Sequence, residues 1–121
     1  MGSYKDLEIY KIAYDLAIRV HKASLKLPQF ELYEQGGQIR RSTKSIRDAI
    51  PEGYGRRRYK AEFIRYLIYA QASCDEATNQ AAGIIELYPA ITEFVEIQKD
   101  LDALGRKINN FISYVESDWR T

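Results

Sequence analysis

Residues 63–89 read FIRYLIYAQASCDEATNQAAGIIELYP, and their spacing decides the fold. Apolar side chains recur at Phe63, Leu67, Ala70, Cys74, Ala77, Ala81, Ile84 and Tyr88, in alternating steps of four and three. A helix advancing about 100° per residue places all of these on one stripe. Pro89 supplies the stop, because its ring nitrogen carries no proton for another turn. The middle of the stripe is built of small residues, which lets a neighbouring helix approach closely.

Three more stripes lie on either side. Ile9, Ala13, Leu16, Val20, Ala23 and Leu27 form the first, ended by Pro28, with Gln29 to Glu31 as a short connection. Leu32, Gly36, Ile39, Thr43, Ile46 and Ile50 form the second. Its expected end is Pro51-Glu52-Gly53-Tyr54-Gly55, where glycine permits the left-handed geometry of a helix terminus. Gly36-Gly37 costs about 1 kcal/mol per glycine relative to alanine, which predicts a late start or a bend. Phe94, Ile97, Leu101, Leu104, Ile108, Phe111 and Val115 form the last stripe, with Ile112 and Trp119 adding apolar surface. Short connections make sequential helices antiparallel. No alternating strand pattern, repeat or low-complexity stretch is present. The expectation is an all-α, antiparallel up-down-up-down four-helix bundle forming a single domain over residues 1–121.

The hydrophobic content of 45% argues against disorder. No apolar run reaches the length of a membrane span, no signal peptide opens the chain, and Asp6 defeats a myristoylation signal. A lone Cys74 excludes an internal disulfide and suits a reducing, cytoplasmic location.

The near-neutral formal charge of +1 hides an asymmetry. The stretch QIRRSTKSIRDAIPEGYGRRRYK, residues 38–60, holds eight basic side chains against Asp48 and Glu52, a net +6, which leaves the remainder at −5. Charge gathered in this way points to a polyanionic partner. On a helical wheel Arg40, Arg41, Lys44 and Arg47 fan out beside the core stripe and run toward the turn carrying Arg56, Arg57, Arg58 and Lys60. Arginine forks match phosphate oxygens, and Tyr54 and Tyr59 bracket the triple arginine as stacking surfaces for bases. Two readings of the segment stand open. It binds RNA or DNA, or Arg56 to Arg58 cap the helix end and pair with Glu52 and Glu62.

Other side chains sit off the inward stripes. Tyr59, Tyr66 and Tyr69 share a second face of the third helix, Ile12 and Ile18 flank the first, and Gln38, Ser42, Ser45 and Ala49 form a smooth flank of the second. Together they favour a homo-oligomer. Catalysis is not expected. His21 has no cysteine or histidine at ligand spacing, no Glu-x-x-His pair exists for a metal centre, and Ser42, Ser45 and Ser73 lack a histidine partner. Asp75-Glu76 and Glu93/Glu96 read as contacts at turns or interfaces, Cys74 as an inert core filler, and the Gly-Tyr-Gly turn lacks the Lys-Ser/Thr ending of a P-loop. No cofactor or metal is expected.

The runs Gln38-Ile39-Arg40-Arg41-Ser42, Ser45-Ile46, Glu52-Gly53-Tyr54-Gly55-Arg56, Phe63-Ile64-Arg65-Tyr66-Leu67 and Tyr69 to Glu76 resemble a known family. So does the opening Asp6-Leu7-Glu8-Ile9-Tyr10-Lys11. That family is the four-helix-bundle proteins encoded in intervening sequences of bacterial 23S ribosomal RNA genes. The fold so implied also resembles that of the accessory variability determinant of diversity-generating retroelements. The resemblance implies a ring-like pentamer with a positive surface proposed to bind nucleic acid, no catalytic residue, and in the retroelement relatives a reverse transcriptase as protein partner. It makes Arg40, Arg41 and Arg56 candidate nucleic-acid contacts, and Glu52, Gly53, Ser73 and Glu76 structural positions. Pro51 departs from the family pattern and is expected to shift the end of the second helix. The chain departs from it again at Ala72-Ser73-Cys74, in place of Gly-Ser-Leu, and in its near-neutral charge, which is far from the strongly basic retroelement relatives. An adaptor that meets an acidic protein through the same basic stripe is the rival function.

Overall fold

The four stripes become four long helices in a computed structural model that describes residues 2–120. A 3-10 turn, Tyr4–Asp6, leads into α1, Glu8–Ser24, and a one-turn helix, α2, Gln29–Leu32, follows. Then come α3, Gln35–Gly55, α4, Lys60–Leu87, and α5, Glu93–Asp118. α1 packs on α3 and α5, and α4 packs on the same two from the other side, which closes an antiparallel bundle. No strand occurs among the described residues.

The seams are the ones the spacing predicts. Every residue of the first stripe is buried, as are Phe63 to Ile84 of the third and Phe94, Ile97, Leu101, Leu104, Ile108 and Val115 of the fourth. Leu32 and Tyr88, at stripe ends, and Phe111, one turn before the end of the fourth, are only partly covered. Each large side chain so buried contributes about 1.5–3 kcal/mol of transfer free energy. The small residues of α4 face α5 closely enough for the Cys74 thiol to donate to the Leu101 carbonyl at 3.2 Å.

Several local expectations are corrected. The segment after Leu27 is not a plain connection but carries α2. Gly36-Gly37 neither delays nor interrupts α3; both are buried, Gly36 against Glu31 and Leu27 and Gly37 under the Arg41 guanidinium. A Cβ at Gly36 would lie 3.0 Å from an Arg40 guanidinium nitrogen and 3.2 Å from the Glu31 carbonyl oxygen. Nor does α3 end at Pro51. It runs through the proline to Gly55, and no glycine among the described residues has positive φ. Proline lacks an N–H, so the Arg47 carbonyl loses its donor four residues on. Packing compensates, because Gly53 and Tyr54 of this last turn are buried against α4. Gly53 is there for close approach: a Cβ would come 2.9 Å from the Tyr66 Cβ.

The two ends of the bundle are held differently. At the end formed by α2, hydrogen bonds do the tying. Glu31 accepts from Gln35 at 2.9 Å and from the Tyr88 hydroxyl at 2.8 Å. Arg40 donates to the Ser24 hydroxyl at 2.7 Å and to the Leu32 carbonyl at 2.6 Å. At the end formed by the α3–α4 turn, rings interlock instead. Phe63 meets Trp119, Phe111 and Tyr54 edge to face, with centroids 5.2, 6.0 and 6.1 Å away.

Candidate nucleic-acid interface

The basic residues of 38–60 do not form one open stripe. Along α3, Arg40 and Arg56 are about 24 Å apart at 1.5 Å per residue. Arg40 lies on the α1 side, half-buried, with both terminal nitrogens engaged by Ser24 and Leu32. It is an internal strut rather than a free cation. Arg47 is on the same side, and its guanidinium donates to Asp48 at 2.8 Å, a bond that holds its pKa above the ordinary arginine value. Lys44 is half-buried between the two edges.

Arg41 faces the other way. It shares a polar notch of about 380 Å³ with Gln38, Ser42, Ser45, Ser73, Glu76 and Gln80, between α3 and α4. Ser42 is buried there and donates to Gln80 at 2.8 Å. Part of the small-residue flank is therefore covered within the chain, with Ser42 bonded to α4 and Ala49 packed against the core.

Arg56, Arg57, Arg58 and Tyr59 are exposed at the α3–α4 turn, and Lys60 begins α4 half-buried. Tyr59 is the open aromatic of the pair, 66% exposed, whereas Tyr54 is 5% exposed and belongs to the core. No base can stack on Tyr54: its ring is enclosed by Phe63 and Trp119 and capped by Arg57, 4.0 Å from the centroid. This corrects the bracketing read from sequence, and the reason is geometric. Because α3 continues through Pro51, position 54 falls on the inward side of a helix rather than in an open turn.

A different aromatic surface takes its place. Arg56 lies 4.7 Å over the Tyr66 ring, while Arg65 lies 5.6 Å from Tyr66 and 5.8 Å from Tyr69. The two tyrosines meet edge to face at 5.3 Å. Glu62 bridges the two arginines at 3.4 and 3.3 Å, so part of the positive charge is already matched. The signal for this array was visible, as Arg65, Tyr66 and Tyr69 follow helical spacing, but the tyrosines alone read as an interface face. Arg120 was missed for another reason. It is distant in sequence, and only the antiparallel path of α5 brings it beside Arg57 and Arg58.

The residues singled out for chemistry stay dispersed. Cys74 is buried, and desolvation, with nearby Asp75, pushes its thiol pKa up to about 12, the opposite of nucleophilic activation. No cluster of metal-ligating side chains occurs among the described residues. Among the described residues no helix is long and apolar enough to cross a membrane.

A family model for the 23S rRNA-intervening sequence protein matches residues 5–110. The chain belongs to that family. Comparison with curated proteins gives no match. The matched span takes in α1 to α4, the arginine turn and most of α5. It stops before Trp119 and Arg120, so the last two contributors to the basic end lie beyond the shared region.

Proposed function

We propose that this member of the family is a non-enzymatic, cytoplasmic homo-oligomer that binds nucleic acid, RNA in the first place, through the basic end of its bundle. The observation that carries the reading is the Arg56–Tyr66–Arg65–Tyr69 array beside Arg57, Arg58 and Lys60. Interleaved guanidinium and phenol groups offer phosphate contacts and stacking faces on one surface, which is what irregular or single-stranded RNA requires. Arg41, Lys44 and Arg47 add positive charge farther along α3 but on separate faces, with Arg47 paired to Asp48 and Arg40 held as an internal strut.

Oligomerisation is supported by apolar side chains left open. Leu25, Phe30 and Tyr33 around α2 are 59%, 73% and 82% exposed, too much apolar surface in one place for a free knuckle. Ile18 and Tyr69, on other helices, are open as well. A pentameric ring is the arrangement the family resemblance favours, and light scattering at micromolar concentration tests it.

Nucleic-acid binding is tested by anisotropy of labelled RNA and DNA across a salt series. The log–log slope is expected to be roughly −0.7 per phosphate contact for single strands. Arg56→Ala with Arg58→Ala flattens the slope, while Tyr69→Ala weakens affinity without changing it. Salt-insensitive binding, or none at low salt, transfers the assignment to the second reading. That reading is an adaptor for an acidic protein surface, such as one on a reverse transcriptase, and the internal pairing of Arg47 and Arg56 favours it.

A further inference from the structure

The structure assigns a phosphate-binding subsite to the notch at the basic end, lined by Gly55, Arg57, Arg58, Trp119 and Arg120. The inference rests on the nucleic-acid reading above and extends it to a defined pocket with a defined ligand chemistry. The notch measures about 380 Å³, the share of roughly a dozen waters in liquid. Three of its five lining residues are arginines and no carboxylate among the described residues lines it, so the ligand it fits is an anion. Among the described residues neither Arg58 nor Arg120 forms an ion pair within the chain.

The arginines have different parts. Arg57 is fixed, one nitrogen donating to the Tyr54 carbonyl at 2.9 Å and its Cζ lying 4.0 Å over the Tyr54 ring. It forms a pre-organised wall that loses little entropy on binding. Arg58 and Arg120 are exposed and supply the adjustable forks. Arginines from two distant parts of the chain thus line one opening, and their forks match the several oxygens of a phosphate. Gly55 keeps the mouth clear, since nothing lies within 4 Å of where its Cβ would be. Trp119 forms the floor, anchored on Phe63 at 5.2 Å. Because it is the only tryptophan in the chain, its emission is a single-site signal from the lining of this notch.

The test is a titration with inorganic pyrophosphate at constant ionic strength, followed by Trp119 fluorescence and by calorimetry. A saturable single-site response is expected, weakened tenfold or more in Arg58→Ala/Arg120→Ala. Gly55→Leu, which fills the mouth without changing charge, should weaken it comparably. Circular dichroism verifies that both variants remain folded. A linear response, or equal affinity in the variants, overturns the site. Two arms with labelled RNA, one 5′-phosphorylated and one 5′-hydroxyl, distinguish the source of the phosphate. Selective displacement of the phosphorylated strand by pyrophosphate assigns a strand terminus, and equal displacement of both assigns the backbone. RNA that binds yet ignores pyrophosphate and both variants removes the notch and leaves the proposed function standing. Pyrophosphate binding with no RNA binding does the reverse.

Discussion

The Arg57 guanidinium lies 4.0 Å from the centroid of the Tyr54 ring and donates to the carbonyl of that same residue at 2.9 Å. One side chain thereby caps the last turn of α3 and seals the aromatic end of the core. Arg58, next in sequence, does neither. Replacing Arg57 by alanine is expected to lower stability by about 1–2 kcal/mol, the sum of a modest cation–π contact and a modest hydrogen bond. Arg58→Ala should stay within about 0.5 kcal/mol of wild type. Chemical denaturation of the two variants measures the difference, and a reversed order would place the cap on the wrong arginine.

Two glycines in the same turn of helix should respond in opposite directions. At Gly53 an added methyl would meet the Tyr66 Cβ at 2.9 Å and Phe63 at 3.3 Å, so α4 must move away. Gly53→Ala is expected to cost about 1–3 kcal/mol. Gly55 has open space and helical backbone, so Gly55→Ala should be neutral or stabilising by up to about 1 kcal/mol. Paired thermal melts decide it; equal destabilisation would refute the close approach of α3 and α4.

Cys74 should resist alkylation in the folded protein and react once it unfolds. Its thiol is 1% exposed and its pKa is pushed up to about 12 by burial. Above the ordinary value of 9.0 the unfolded chain releases the proton and the folded one keeps it. This contribution to stability therefore declines as pH rises from about 9 toward 12. Cys74→Ala should flatten that decline, and Cys74→Leu should cost about 1–3 kcal/mol by overpacking. Iodoacetamide labelling monitored by mass, with melts across the pH range, provides the check. Fast labelling of folded protein would contradict it.

At the opposite end, the Tyr88 hydroxyl and Gln35 hold the Glu31 carboxyl below its ordinary value of 4.5. A depressed carboxyl contributes stability that is present above that value and lost as pH falls through the folded one. Tyr88→Phe should therefore lower the melting temperature at neutral pH, with the deficit shrinking as pH drops below about 4.5. A deficit independent of pH would mean that the hydroxyl acts by packing alone.

The helices were legible because their apolar steps are regular and uninterrupted by competing patterns. Phe63 to Ile84 follows one stripe without exception, and all seven of its positions are buried. What sequence could not supply was long-range. Glycine and proline carry local propensities that argue for a turn after Ile50, yet burial of Gly53 and Tyr54 against α4 outweighs them. Arg40 looked like its neighbour Arg41, and only the position of Ser24 and the Leu32 carbonyl separates a strut from an exposed charge. Likewise, nothing local to Arg120 announces that it will join the arginine turn.

The aromatic cluster at the basic end also sets an order of events during synthesis. Phe63 and Tyr54 are completed against Trp119, which is made about 60 residues after the arginine turn. At about 5–20 residues per second that interval is roughly 3–12 s. Throughout it, the nascent chain carries its cationic segment without the indole that seats it. The arginine turn is thus made early in translation, and the tryptophan that packs behind it is made late.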